Sequence, residues 1–198
     1  MSPYLTPTAL ASRRLFMSGL GKATLSATAV GLVVGCESMA SQDKMAANPA
    51  ADTDILNIAL GLEHQAIGAY QLGAESGLLQ SEVLAVAVTF QGHHKGHRDA
   101  LARAIGKLGG TPVEAKSTAD YAKALNAGSL KSQTDVLAFA AGLELDAVNG
   151  YLGVIPSFSD GRLAKVAGRL AADECMHWTV LSQALGKTLP KDALTFGA

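Results

Sequence analysis

A chain of 198 residues is long enough for one ordinary domain with appendages. Hydrophobic residues make up 48% but aromatics only 5%, and Ala, Leu and Gly supply the apolar mass, which favours closely packed helices over a sheet. A formal net charge of −1, with no long run of like charges, excludes a nucleic-acid-binding face and a disordered acidic tail.

Residues 1–36 read as an address rather than as part of the fold. Ser12-Arg13-Arg14-Leu15-Phe16-Met17 precedes an apolar stretch, Ser18 to Val34, that Gly, Ser and Thr dilute. The stretch is poorly suited to a permanent membrane span, which needs ~20 predominantly apolar residues. The combination resembles a twin-arginine export signal, with Arg13 and Arg14 as its motif. Val33-Val34-Gly35-Cys36 resembles a lipobox, which implies lipidation of Cys36 and a tether to a membrane of the cell envelope. Ordinary cleavage after Ala40 is the competing reading. The resemblance implies export to the periplasm. The one other cysteine is Cys175, so an intrachain disulfide framework is not expected.

Residues 37–52 are small and polar and read as a flexible tether. Residues 53–187 follow as a helical domain with four segments of helical period: Thr53–Ser76, Ser81–Leu108, Thr134–Pro156 and Leu163–Leu185. Gly77 and the Ser157–Gly161 stretch mark two short turns, whereas Gly109–Ser132 is a long connection, with a short helix expected at Tyr121–Leu125. Residues 188–198 form a tail. Two hairpins joined by one long crossover is the connectivity of an antiparallel four-helix bundle of the ferritin-like type.

The two hairpins repeat each other. Gly61-Leu62-Glu63 leads to Ala66 and Tyr70, and Gly142-Leu143-Glu144 leads to Ala147 and Tyr151, 81 residues further on. His94 and His97 correspond to Glu174 and His177 at an offset of 80. Each half therefore carries one ionisable residue on its first helix and an i, i+3 pair on its second.

These residues lie on the stripes that should be buried. Glu63 shares a face with Leu56, Leu60, Ile67 and Tyr70, and Glu144 with Leu137, Ala141, Val148 and Tyr151. His94 and His97 share one with Val83, Ala87, Phe90, Leu101 and Ile105. Glu174 and His177 share one with Leu163, Leu170, Leu181 and Leu185. An isolated charge in such a place costs several kcal/mol unless it is paired, neutralised or bound to metal. Carboxylate and imidazole together suit iron, manganese or zinc.

This pattern resembles the di-iron and di-manganese carboxylate proteins of the ferritin-like superfamily, which place one Glu on each of two helices and a Glu-x-x-His on each of the others. The resemblance implies a metal site of Glu63, His94, His97, Glu144, Glu174 and His177, and chemistry such as oxidation of ferrous iron or removal of peroxide. His94 departs from it, since the family has glutamate there. A neutral imidazole has one free nitrogen and cannot bridge two metals as a carboxylate does. A lopsided site is therefore expected, with one metal held by Glu144, Glu174 and His177 and a second, weaker one by Glu63, His94 and His97. His93, spaced i, i+4 from His97, competes with His94 as a ligand. Tyr70 and Tyr151 are expected to pack beside the cluster with hydroxyls bonded to it, and Asp99 and Asp173 to support it from outside. Cys pairs of the rubredoxin kind are lacking, so no electron delivery of that kind is encoded in this sequence. The expected partners are metal ions and, through the lipid, a membrane; a homodimer is compatible with the bundle.

Three other readings compete. Glutamates paired with protonated histidines would make a metal-free core. The bundle would then be a non-catalytic binding protein of the envelope. Sequestration of zinc or copper is the third, prompted by the extra histidines.

Overall fold

A computed structural model describes residues 47–197, all helices and connections. Arg13, Arg14, Cys36 and most of the segment read as a tether lie outside the described residues.

Helix α1 spans Pro49–Glu75. Asn48 caps it by accepting from Ala51 N at 3.2 Å, and Pro49 sits where its missing N–H costs nothing. The helix thus begins ahead of the expected Thr53, and residues 49–52, read as tether, form its first turn. The reason is Asp52, 2% exposed, which accepts from both N and Oγ of Ser159 at 2.9 and 2.7 Å. That tie fastens the start of α1 to a distant turn and was hidden in a stretch that looked merely polar.

Gly77, at φ +70°, closes α1 and turns the chain into α2, Ser81–Lys107. Gly109, at φ +80°, closes α2. The crossover then runs back along α1. Asn57 holds it from both sides, donating to Thr111 O at 3.0 Å and accepting from Val113 N at 2.9 Å. His64 Nε2 lies 3.1 Å from Val113 O, so this histidine has a role in the connection. The short helix α3, Thr118–Ala124, is capped by Ser117 and lays Tyr121 across α1. A Cβ at Gly68 would come within 2.6 Å of the Tyr121 ring, so only glycine admits this approach.

Helix α4, Gln133–Val154, is capped by Ser132 and runs into a 3-10 turn, Ile155–Ser157, at Pro156. Helix α5, Gly161–Ala184, is capped by Asp160 and ends before Gly186, at φ +70°. The tail returns: Phe196 packs edge-on to Trp178, and Gly197 N donates to Asn149 at 2.8 Å. Among the described residues no helix is long and apolar enough to cross a membrane.

Packing is closest within each hairpin, α1 on α2 and α4 on α5, and looser between α1 and α4. Two apolar clusters fill the bundle. Leu56, Leu60, Leu101, Ile105 and Leu170 belong to one, Tyr70, Phe90, Leu137 and Leu181 to the other. The expected stripes are buried, save that Ile67, Val83, Ala87 and Leu185 are only half-buried.

Candidate metal centre

A layer of ionisable residues lies along the bundle, between the segments that supply the two apolar clusters. Glu63 comes from α1, His94 and His97 from α2, Glu144 from α4, and Glu174 and His177 from α5. All six are buried, and Glu174 and His177 are 0% exposed. Each sits one or two turns from buried leucines or aromatics of its own helix, so the periodicity that buries those residues also buries the charges.

The layer is knit across helices. His94 sets Nδ1 2.8 Å from Glu63 Oε2 and Nε2 3.3 Å from Glu144 Oε1, one nitrogen to each half. His97 Nδ1 is 3.0 Å from Glu174 Oε1. His177 Nδ1 is 3.1 Å from Glu174 Oε2 and 3.4 Å from Glu144 Oε2. Both tyrosines reach across the α1–α4 gap. Tyr70 donates to Glu144, and Tyr151 donates to Glu63. The expectation that their hydroxyls meet the cluster is thus refined: each serves the glutamate of the other helix, because α1 and α4 run antiparallel.

Burial disfavours every charge here, and the network answers it. Burial alone would raise Glu63, but hydrogen bonds from His94 and His97 outweigh it and bring it to about 2. Glu144 is held below the usual carboxylate range in the same way, by His177 and His94. For Glu174 burial wins, and its carboxyl is raised. Burial would lower the histidines, yet Glu144 and Glu63 hold His94 up at about 10, and Glu174 and Glu63 hold His97 there too. His177 is raised against burial by Glu144 and Glu174. Burial and the charges of Glu144 or Glu63 push Tyr70 and Tyr151 far up, so both hydroxyls keep their protons and donate.

Two four-residue sets can each hold a cation: Glu63, His94, His97 and Glu174, and His94, Glu144, Glu174 and His177. Within each set the candidate ligand atoms all lie within 4.8 Å of one another. The carboxylate and imidazole donors suit a divalent transition metal, so the residues fit the metals that the sequence pattern implies. The sets share His94 and Glu174, whereas the sequence reading assigned those two residues to separate metals. His94 stands at the centre, with its nitrogens directed to opposite glutamates.

The outer nitrogens of the other two histidines are also partnered. His97 Nε2 lies 3.2 Å from Asp173 Oδ2, and His177 Nε2 lies 2.8 Å from His93 Nδ1. His93 is therefore not an alternative to His94 inside the layer. It stands behind His177, exposed on its other side. Its signal was in the repeat, since His93 precedes His94 as Asp173 precedes Glu174. Asp99 pairs with Arg98 instead. Gln91, buried and unremarked in the sequence, donates to Ile67 O and Gln71 and braces α2 against α1.

Comparison with known proteins agrees with this architecture. The sequence profile described as ferritin-like domain matches residues 51–187. No curated protein gives a significant match. Among solved structures, the crystal structure of a conserved hypothetical protein, rv2844, from Mycobacterium tuberculosis is similar, with a TM-score of 0.58. The two are 20% identical over 73% of this chain and 97% of that one, a likeness of fold alone.

Proposed function

The chain belongs to the ferritin-like domain family, and on that footing we propose that it is a metal-binding, redox-active protein of the cell envelope, with iron or manganese held in the buried layer. The observation that carries this reading is the pair of buried, overlapping ligand sets, in which Glu174 can serve both cations through its two oxygens while His94 serves one. Ligands to the metals are Glu63, His94, His97, Glu144, Glu174 and His177. A bound redox-active pair supplies electron exchange with dioxygen or peroxide, which points to oxidation of ferrous iron or peroxide removal.

The chain's own residues do the rest. Tyr70 and Tyr151 fix one oxygen of Glu144 and of Glu63, which leaves the second oxygen of each carboxylate to face the histidines. Asp173 and His93 hold the outer nitrogens of His97 and His177, which directs Nδ1 of each inward. Leu60, Leu101 and Leu170 on one side and Phe90 and Leu181 on the other limit the approach of water. The resemblance of the Arg13-Arg14 stretch to an export motif and of the Cys36 stretch to a lipid-attachment signal supports the envelope part of this reading.

The imidazole-rich donor set favours a second reading, sequestration of zinc or copper without turnover. Elemental analysis of the protein purified from its native compartment, without added metal, tests both. About two iron or manganese atoms per chain, lost in Glu144→Ala or Glu174→Ala, is the expected result. Zinc or copper in their place supports sequestration. A protein without metal, and no less stable in chelator, sinks the redox reading and leaves an envelope binding protein on a ferritin-like scaffold.

A further inference from the structure

The looser seam between α1 and α4 holds a cavity of about 230 Å³ that reaches the ionisable layer. Glu63, His94, Glu144 and Glu174 line its inner end. Its walls include Ile55, Ala59, Ala66, Ala147 and Val154, and Ile58 and Leu62 lie exposed on the α1 side. Ala59, Ala66 and Ala147 leave open the space that larger side chains would fill.

The internal repeat supplies a comparison. A second cavity, of about 420 Å³, uses the equivalent positions of the opposite helices: Val136 for Ile55, Ala140 for Ala59, Leu143 for Leu62. Tyr70 lines it, but no glutamate or histidine of the layer does. Of these two repeat-related cavities, only the smaller reaches the metal ligands.

Its chemistry narrows the occupant. No lysine or arginine lines it, and at its inner end three carboxylates outnumber His94, so it repels an anion. Gln65 and Asp146 are the polar side chains of its lining outside the layer and Tyr151, and a hydrated cation would lose its water along the aliphatic walls with little in exchange. An uncharged apolar molecule loses nothing there. A dry apolar cavity of about 150 Å³ accepts a benzene molecule, which sets the scale.

We propose that this cavity binds a small, uncharged, apolar organic molecule, about the size of a substituted benzene, against the Glu63–Glu144 face of the layer. The proposal rests on the metal-site reading only in making that molecule a substrate. Binding itself needs no metal.

Toluene is the probe. It is titrated into the full chain, methyl-labelled at Ile, Leu and Val, in chelated and in cobalt-loaded form. The expected result is saturable movement of the Ile55, Leu62 and Val154 methyl signals, with a change in the visible spectrum of the cobalt form. Ala66→Phe and Ala147→Phe fill the cavity from opposite helices, and each should weaken binding by about tenfold or more. Unmoved Leu101 and Ile105 signals, from the core, show which variants have folded. Movement confined to Leu72 and Val136, in the larger cavity, overturns the proposal, as does binding that persists undiminished in a folded filled variant. Saturable toluene binding in a chain that takes up no cobalt upholds the cavity and defeats the metal reading. Cobalt uptake with no toluene binding does the reverse.

Discussion

His93 Nδ1 lies 2.8 Å from His177 Nε2, at the place where the other half of the bundle sets Asp173 against His97. One histidine is thus backed by an imidazole and its counterpart by a carboxylate. Burial and the neighbouring His177 hold His93 below its ordinary value, so at neutral pH it is uncharged and its Nδ1 accepts from His177. Partners of this kind set ring orientation and donor strength, and losing one typically costs about 10–100-fold in metal affinity. Stepwise cobalt titration should show His93→Ala weakening one binding step by about tenfold or more and Asp173→Ala weakening the other. Identical effects of the two variants on both steps would contradict the assignment of one partner to each side.

His94→Glu should separate the demands of metal binding from those of folding. The substitution supplies the fourth carboxylate of the family pattern and should tighten the weaker cation step in a calorimetric titration. Without metal it places a further acid among Glu63, Glu144 and Glu174 and removes the cation that His94 provides at its raised pKa of about 10. Stability in chelator should then fall by about 3 kcal/mol or more, as when one partner of a buried ion pair is removed. Urea unfolding with and without metal reads both effects. Equal stability of variant and parent in chelator would refute the pairing of His94 with the glutamates.

The same network fixes the sign of the pH dependence. His94 and His97 are raised from 6.5 to about 10, so their contribution to the stability of the chelated protein is complete below pH 6.5 and lost as pH rises toward 10. Glu63 is lowered from 4.5 to about 2, so its contribution is complete above pH 4.5 and lost as pH falls toward 2. Thermal unfolding in chelator should therefore show these contributions together between pH 4.5 and 6.5. Metal affinity should run the other way and strengthen from pH 6 to 9 by up to about tenfold per pH unit for each proton released. Proton release on zinc addition in a weakly buffered solution measures it. A flat affinity over that range would argue that metal does not displace these protons.

Tyr70→Phe and Tyr151→Phe each remove one donor from a buried glutamate of the opposite helix. Each should cost about 1–3 kcal/mol in chelator. The double variant should depart from the sum, since His94 joins the two carboxylates in one network. Chemical denaturation of the four proteins forms the test, and a cost near zero for either single variant would remove that hydroxyl from the network.

Asp52→Ala leaves Ser159 N and Oγ without their acceptor at the start of α1. A loss of about 1–3 kcal/mol is expected, with early amide exchange in the first turn of α1. Unchanged exchange there would mean that Asn48 and Pro49 hold the helix start unaided.

Much of this was legible in the sequence because helical period and internal repetition are local properties. Glu63, Glu144, Glu174, His94, His97 and His177 declared themselves by standing on apolar stripes, and the long Gly109–Ser132 connection declared the bundle topology. What the sequence did not determine depends on how one helix faces another. A period of 3.6 residues assigns a side chain to a face but not to a partner across the gap. Only the antiparallel run of α1 and α4 sends Tyr70 to Glu144 and Tyr151 to Glu63. Only the packing of α2 on α5 puts His93 behind His177 rather than in the layer. Asp52 lay in a polar stretch without periodicity, and its partner Ser159 is 107 residues away. The α1–α4 cavity is a matter of distance between backbones, set by the whole bundle, so alanines at 59, 66 and 147 reveal it only once the helices are in place.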